Sequence, residues 1–102
     1  MAEAVTVVAH IRAAKGKGDA LAALLTEQVA AVRRAEPGCL AYRLHRSTTD
    51  LDSFCFYEVF ADAAAFDAHR GAAHVAAFRE RREREALTDG PVKVEMFRAL
   101  TD

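Results

Sequence analysis

Tryptophan is absent from this 102-residue chain, cysteine and proline occur twice each, and glycine occurs five times. Each scarcity excludes something. Cys39 and Cys55 stand far apart, with neither the paired spacing of a zinc site nor that of a redox-active disulfide. Both fall in apolar stretches, where a cysteine reads as a buried free thiol. Too few glycines and prolines are present for a low-complexity or collagen-like chain, and 52% hydrophobic residues exclude intrinsic disorder. No apolar run approaches the length of a membrane span. The opening Met1-Ala2-Glu3-Ala4 has neither the basic start nor the apolar core of a secretory leader, so a cytoplasmic location is expected. Charge of one sign is also missing. Lys and Arg total 14 against 15 Asp and Glu, which gives no general attraction to nucleic acid or anionic membrane.

The length suits one domain over residues 1–102. A chain this short buries a modest core and gains from association. From Val5 to Ala13, apolar and polar residues alternate with period two, which predicts a half-buried strand. Gly16 and Gly18 break it. Asp19 is placed to start a helix, since a carboxylate there meets free backbone N–H groups and the positive helix end. Leu21, Leu24, Leu25, Gln28, Val29 and Val32 continue at helical spacing until Glu36-Pro37-Gly38 stops the pattern.

Cys39–Ser47 predicts a second strand with Leu40, Tyr42 and Leu44 on one face, and Ser53–Phe60 a third, aromatic one. The short polar link between them predicts an antiparallel hairpin. Asp62 caps a short helix through His69, Gly71 interrupts it, and a further helical stretch runs from Ala73 to Leu87. Within that stretch Arg79 to Glu85 alternates in sign, the pattern of a solvated helix face. Val92, Val94 and Met96 mark a last strand. The order predicts an α+β fold of the ferredoxin-like kind, β-α-β-β-α-β, with a four-stranded antiparallel sheet. Helices would cover one sheet face. The other would carry His10, Arg12, Arg43, His45, Tyr57 and Val59, a mixture suited to a second sheet.

Three segments carry a resemblance. Glu36 to Arg46 (Glu-Pro-Gly-Cys-Leu-Ala-Tyr-Arg-Leu-His-Arg), Phe56 to Asp62, and Phe66 to His74 with its two histidines resemble, in order, the antibiotic biosynthesis monooxygenase family. The closing Gly90-Pro91 and strand fit as well. The resemblance implies two subunits forming a dimeric α+β barrel, with a small aromatic or carbonyl ligand between sheet and helices of each. It also implies, for several members, oxygenation of quinols or polyketide anthrols by O2 with no metal, haem or flavin. Others handle small phosphorylated sugars. The chain departs from the similar haem-degrading enzymes: Phe60 stands where they carry a tryptophan, Phe78-Arg79-Glu80-Arg81 lacks their histidine, and His10 replaces an asparagine. No haem is expected. No metal is expected either, because His69 and His74 are five residues apart rather than the four that align two ligands on a helix.

Cofactor-free oxygenation needs an electron-rich substrate, a base to deprotonate it and an apolar pocket that excludes water. Candidate catalytic residues are His69, Glu58 and His74. Histidine titrates near neutral pH and suits proton transfer, and a carboxylate among phenylalanines is costly unless it has a task or a partner. Candidate substrate-binding residues are Tyr42, Phe54, Phe56, Phe60, Phe66 and, at the rim, His10. The plainer reading makes the phenylalanines core, His69 a helix-end partner and His74 a cap. The expected function is a cofactor-independent monooxygenase for quinol-like or polyketide aromatics, working as a homodimer through its sheet faces. The alternatives are a small-carbonyl isomerase and a non-catalytic ligand-binding or stress-response dimer. A roomy pocket faced by both Glu58 and His69 favours an enzyme; one closed by phenylalanines favours the last.

Overall fold

Four strands and three helices follow in the order β1 (Val5–Arg12), α1 (Gly18–Ala35), β2 (Cys39–Arg46), β3 (Ser53–Phe60), α2 (Ala63–Arg70), α3 (Ala73–Arg84) and β4 (Lys93–Phe97). They come from a computed structural model that describes residues 3–101. The sheet runs β2-β3-β1-β4 with every neighbour antiparallel. This is the ferredoxin-like arrangement, with its second helical region divided into α2 and α3. The division lies where the sequence breaks. Asp62 caps α2 by accepting a 2.8 Å hydrogen bond from the Ala65 N–H, and Gly71 closes the helix with its own N–H on the Asp67 carbonyl.

Two local expectations need correction. Asp19 does not cap α1. The helix begins at Gly18 with Lys17 in the cap position, and the Asp19 carboxylate, in the first turn, instead pairs with Arg46 at 3.0 Å. Leu40 does not share a face with Tyr42 and Leu44. A register shift between Cys39 and Ala41 interrupts the alternation, and Leu40 is 63% exposed.

The core lies between the sheet and α1. Ile11 and Ala9 from β1, Tyr42 from β2, and Phe54 and Phe56 from β3 pack against Leu21, Leu24, Leu25 and Val32. Helix α3 behaves differently. It leans on α1, none of its residues is fully buried, and Val75, Phe78 and Arg82 form a half-buried stripe. The helix ends at Arg84, short of the expected Leu87. Ala86 turns the chain with a φ of 51°, in the left-handed region, and returns Leu87 to the core. The inward side chains of β3, and of β1 from Val7 onward, are therefore buried, while every residue of β4 is exposed.

The opposite sheet face carries no layer from this chain. Thr6, Val8, His10 and Arg12 of β1 lie there, flanked by Arg43, His45, Cys55, Tyr57, Lys93, Glu95 and Phe97. Both cysteines are free and half-buried. Among the described residues no helix is long and apolar enough to cross a membrane.

Candidate functional site

Loose cover at the β4 side of the sheet leaves a cavity of about 680 Å³ between the sheet and helices α2 and α3. Its floor is the alternating face of the strands. Val7, Ala9 and Ile11 of β1, Phe56 and Glu58 of β3, Tyr42 of β2, and Val94 and Met96 of β4 all point into it. Its walls are Phe66 and His69 from α2 and Val75, Arg79 and Arg82 from α3. The lining is thus apolar over most of its extent with a few converging polar groups, the usual build of a small-molecule site.

Glu58 lies in the apolar floor, 4% exposed, directly across the ladder from Tyr42. Burial raises its pKa to about 7, and the negative charge of Glu36 adds to the shift. His69 stands over it, with Nε2 3.8 Å from Glu58 Oε1. The other ring nitrogen, Nδ1, donates to Glu36 at 2.9 Å. His74 donates from Nε2 to the second oxygen of the same carboxylate. Glu36 therefore holds two histidines, and His69 is fixed between two acids. With Nδ1 committed to Glu36, Nε2 is the ring nitrogen that faces Glu58. The imidazole is also packed between Tyr42 and Phe60, at centroid distances of 5.5 and 5.0 Å.

Glu36 reaches this position because of the turn that ends α1. Gly38 lies so close to α2 that a Cβ there would sit 2.8 Å from the Ala65 Cβ. Glycine alone permits that approach, and the approach brings the Glu36 carboxylate under His69 and His74. Tyr42 is the second buried polar group of the floor. Its hydroxyl accepts from Gln28 Nε2 at 2.9 Å, and burial drives its pKa upward, so it stays a phenol. The Cys39 thiol, pushed up to about 11 chiefly by burial, is no thiolate nucleophile at neutral pH.

The candidates named from sequence are thus sorted by place. Glu58, His69, Tyr42, Phe56 and Phe66 line the cavity. Phe54 and Phe60 do not. They share the strand face but are sealed beneath the helices, Phe54 under the Arg46 guanidinium and Phe60 against Phe66 and His69. His10 lies on the opposite sheet face, as strand alternation from Ala9 and Ile11 requires, and faces Glu95 at 3.2 Å. His74 neither lines the cavity nor caps α3. Ala72 is the cap residue, without a side-chain bond, and His74 braces Glu36. His69 is 7% exposed, in the last turn of α2, and pairs there with Glu36, so it is a helix-end partner and part of the cavity lining at once.

Sequence reasoning missed Glu36, Gln28, Arg79 and Arg82. Glu36 read only as part of a helix stop. Gln28 stood among apolar positions on the inner stripe of α1, which was the signal available for it. The alternating run from Arg79 to Glu85 does form Glu80–Arg84 and Arg81–Glu85 pairs on the surface, at 3.6 and 3.8 Å. It is not all solvated face, however, because Arg79 and Arg82 turn to the cavity.

The sequence profile of the antibiotic biosynthesis monooxygenase family matches residues 4–81, from β1 through most of α3. The chain belongs to that family. Solved structures of similar shape cover nearly the full length. PA3566 from Pseudomonas aeruginosa is 37% identical, with a TM-score of 0.85 over 99% of this chain and 98% of its own. Rv0793 from Mycobacterium tuberculosis is 29% identical with a TM-score of 0.84, covering 97% of each chain. A Caulobacter crescentus protein provisionally named an antibiotic biosynthesis monooxygenase is 25% identical with a TM-score of 0.87, over 98% of this chain and 92% of its own. A curated relative, sll1783 from Synechocystis, is uncharacterized. It is 44% identical over 36 residues, 35% of this chain and about a quarter of its own length (24%).

Proposed function

We propose that this member of the family is a cofactor-independent monooxygenase acting on an electron-rich quinol-like or polyketide aromatic, bound in the cavity above Glu58. The observation that carries this is a carboxyl group buried in an apolar cavity large enough for a fused aromatic, beside a histidine fixed by a second carboxylate; the burial pushes that carboxyl's pKa up to about 7. A group that titrates near the working pH both accepts and returns a proton efficiently.

An anthrone serves to write the reaction. Glu58 takes a proton from the substrate, and the resulting anion gives one electron to O2. The radical pair joins as a C–O bond to form a peroxide anion, whose outer oxygen takes the proton held by Glu58 to give a hydroperoxide. Loss of water from that hydroperoxide leaves the quinone carbonyl, with one oxygen atom in product and one in water. His69 at Nε2 relays the proton from Glu58 towards the departing oxygen. Buried Val7 and Phe56 of the floor and Phe66 of the wall keep bulk water from the anion. Buried Tyr42 offers a hydroxyl beside Glu58 to orient the ring.

The cavity is roomy and faced by both Glu58 and His69, which favours turnover over passive binding. The same pair would serve an isomerase, and oxygen separates the two. With an anthrone such as 1,8-dihydroxyanthrone, the monooxygenase consumes one O2 per quinone formed. An isomerase consumes none, and enzyme-dependent product without O2 uptake would overturn the proposal.

The assembly proposed is a homodimer through the uncovered sheet faces. Tyr57 and Phe97, 43% and 50% exposed, lie there among His10, Arg43 and Glu95. A self-complementary apolar and charged face suits a two-fold contact.

A further inference from the structure

Helix α3 presents two arginines to the cavity that have no partner among the described residues. Arg81 bonds Glu27 and approaches Glu85, Arg84 meets Glu80, and Arg70, also in the cavity wall, is tied to Asp67 at 2.6 Å. Arg79 and Arg82 are in no such pair. Arg82 is half-buried, so its five guanidinium N–H donors need acceptors, while Arg79 is exposed at the cavity mouth, where water serves its donors until a ligand arrives. The helix C-terminus tolerates positive charge there but supplies no ligand for those donors. Glu83 is the one acid of α3 that also lines the cavity, and it lies farther than an ion-pair distance from both.

Gln28 gives a second, independent sign. It is 5% exposed and lines the same cavity. Its Nε2 is used by Tyr42, and its Oε1 is buried with no hydrogen-bond partner. A buried amide acceptor without a donor is costly, and a ligand hydroxyl would satisfy it. Tyr42 links the two features, since its hydroxyl holds Gln28 and its ring lines the same cavity as Arg82.

We propose that Arg79 and Arg82, with Gln28, form an oxyanion-recognising end of the cavity, so that its ligand is an aromatic bearing a carboxylate or phosphate beside a hydroxyl. The aromatic part of this statement rests on the monooxygenase reading; the anionic part rests on the arginines. The guanidinium groups take the oxyanion, Gln28 Oε1 accepts from the neighbouring hydroxyl, and the rings lie over Phe56 and Val94 towards Glu58. Burial and the like charge of Arg79 both press on the Arg82 guanidinium, and an anion relieves both. Glu58 does not oppose the anion while it remains protonated, below about pH 7.

Three probes of one size test this by calorimetric titration of the whole chain at pH 6.5: 1-hydroxy-2-naphthoate, 1-naphthyl phosphate and 1-naphthol. The anionic probes should bind about ten- to a hundredfold tighter than the naphthol, as charge-assisted hydrogen bonds allow. The preference should shrink with added salt and vanish in Arg79→Gln/Arg82→Gln. The stronger of the two anionic probes tells carboxylate from phosphate. Should the double variant fold poorly, Arg79→Gln alone and Arg82→Lys should each reduce the preference. Equal binding of all three probes, no saturable binding of either anion, or a preference that survives the double variant would overturn the proposal. None of these readings needs turnover. A protein that prefers the anions yet consumes no O2 with an anthrone loses the monooxygenase reading and keeps this one.

Discussion

The Nδ1 atom of His69 lies 2.9 Å from a carboxylate oxygen of Glu36, a residue 33 positions earlier in the chain. This contact fixes the ring while the opposite nitrogen faces Glu58. In Glu36→Gln the amide can accept from only one of the two histidines, and His69 loses its orientation. The expected result is a fall in kcat of about 10²-fold with KM nearly unchanged, the mark of a misplaced rather than a missing group. Steady-state rates with an anthrone check it. A rise in KM alone would assign Glu36 to substrate binding instead.

Glu58 should make stability depend on pH. Its folded pKa is about 7 against an ordinary value of 4.5. Between these values the unfolded chain has lost the proton and the folded chain keeps it, so stability falls as pH rises. The stabilisation is fully present below about pH 4.5 and is lost by about pH 7, with no further change from this group above. The span corresponds to a few kcal/mol. Urea unfolding at pH 5 and pH 8 should show the parent weaker at pH 8, and Glu58→Gln should remove most of that difference. A parent equally stable at both would place Glu58 in a wetter setting than its 4% exposure implies.

The rings of Phe60 and Phe66 meet at a tilt of 51°, 5.3 Å between centroids, but have different tasks. Phe60 is fully buried and does not line the cavity, so Phe60→Ala should cost about 3–5 kcal/mol of stability. Phe66 is half-buried in the cavity wall. Phe66→Ala should cost less stability and more ligand affinity. Thermal melts and naphthol titration of both variants decide it, and the reverse ranking would exchange the roles.

The order of elements was legible because each rests on a local signal: period two in Val5–Arg12 and Ser53–Phe60, helical spacing from Leu21 to Val32, and Asp62 and Gly71 at the two ends of α2. Strand alternation also placed Glu58 and Phe56 on the covered face and His10 on the other. Local signals do not say which buried residues of that face have a neighbour above them, so Phe54 and Phe60 looked the same as Phe56. Nor do they say where charges meet. Glu36 comes to His69 through a helix end, a glycine approach and a separation of 33 positions along the chain. Arg79 and Arg82 belong to a run whose surface pattern is real for its neighbours, but Arg82 shares a helical stripe with Val75 and Phe78, and that stripe turns to the cavity with Arg79 beside it.

The uncovered sheet face predicts self-association. Sedimentation equilibrium at micromolar concentration should give a dimer, and Tyr57→Glu, which puts a charge in the middle of that face, should shift it towards monomer. A parent that sediments as a monomer would contradict the assembly.

The central claim is that Glu58 takes the substrate proton, with His69 beside it. The most direct test is the pH profile of kcat for O2 consumption with an anthrone, for the parent and for Glu58→Gln. The account predicts a parent rate that rises to a plateau through an apparent pKa near 7, as Glu58 becomes able to accept a proton. In Glu58→Gln the rate should fall by about 10²–10⁴-fold, the usual worth of a general base, and that limb should disappear. His69→Ala should lower the rate far more than the stability. A Glu58→Gln variant that keeps the parent's rate and profile would contradict the account.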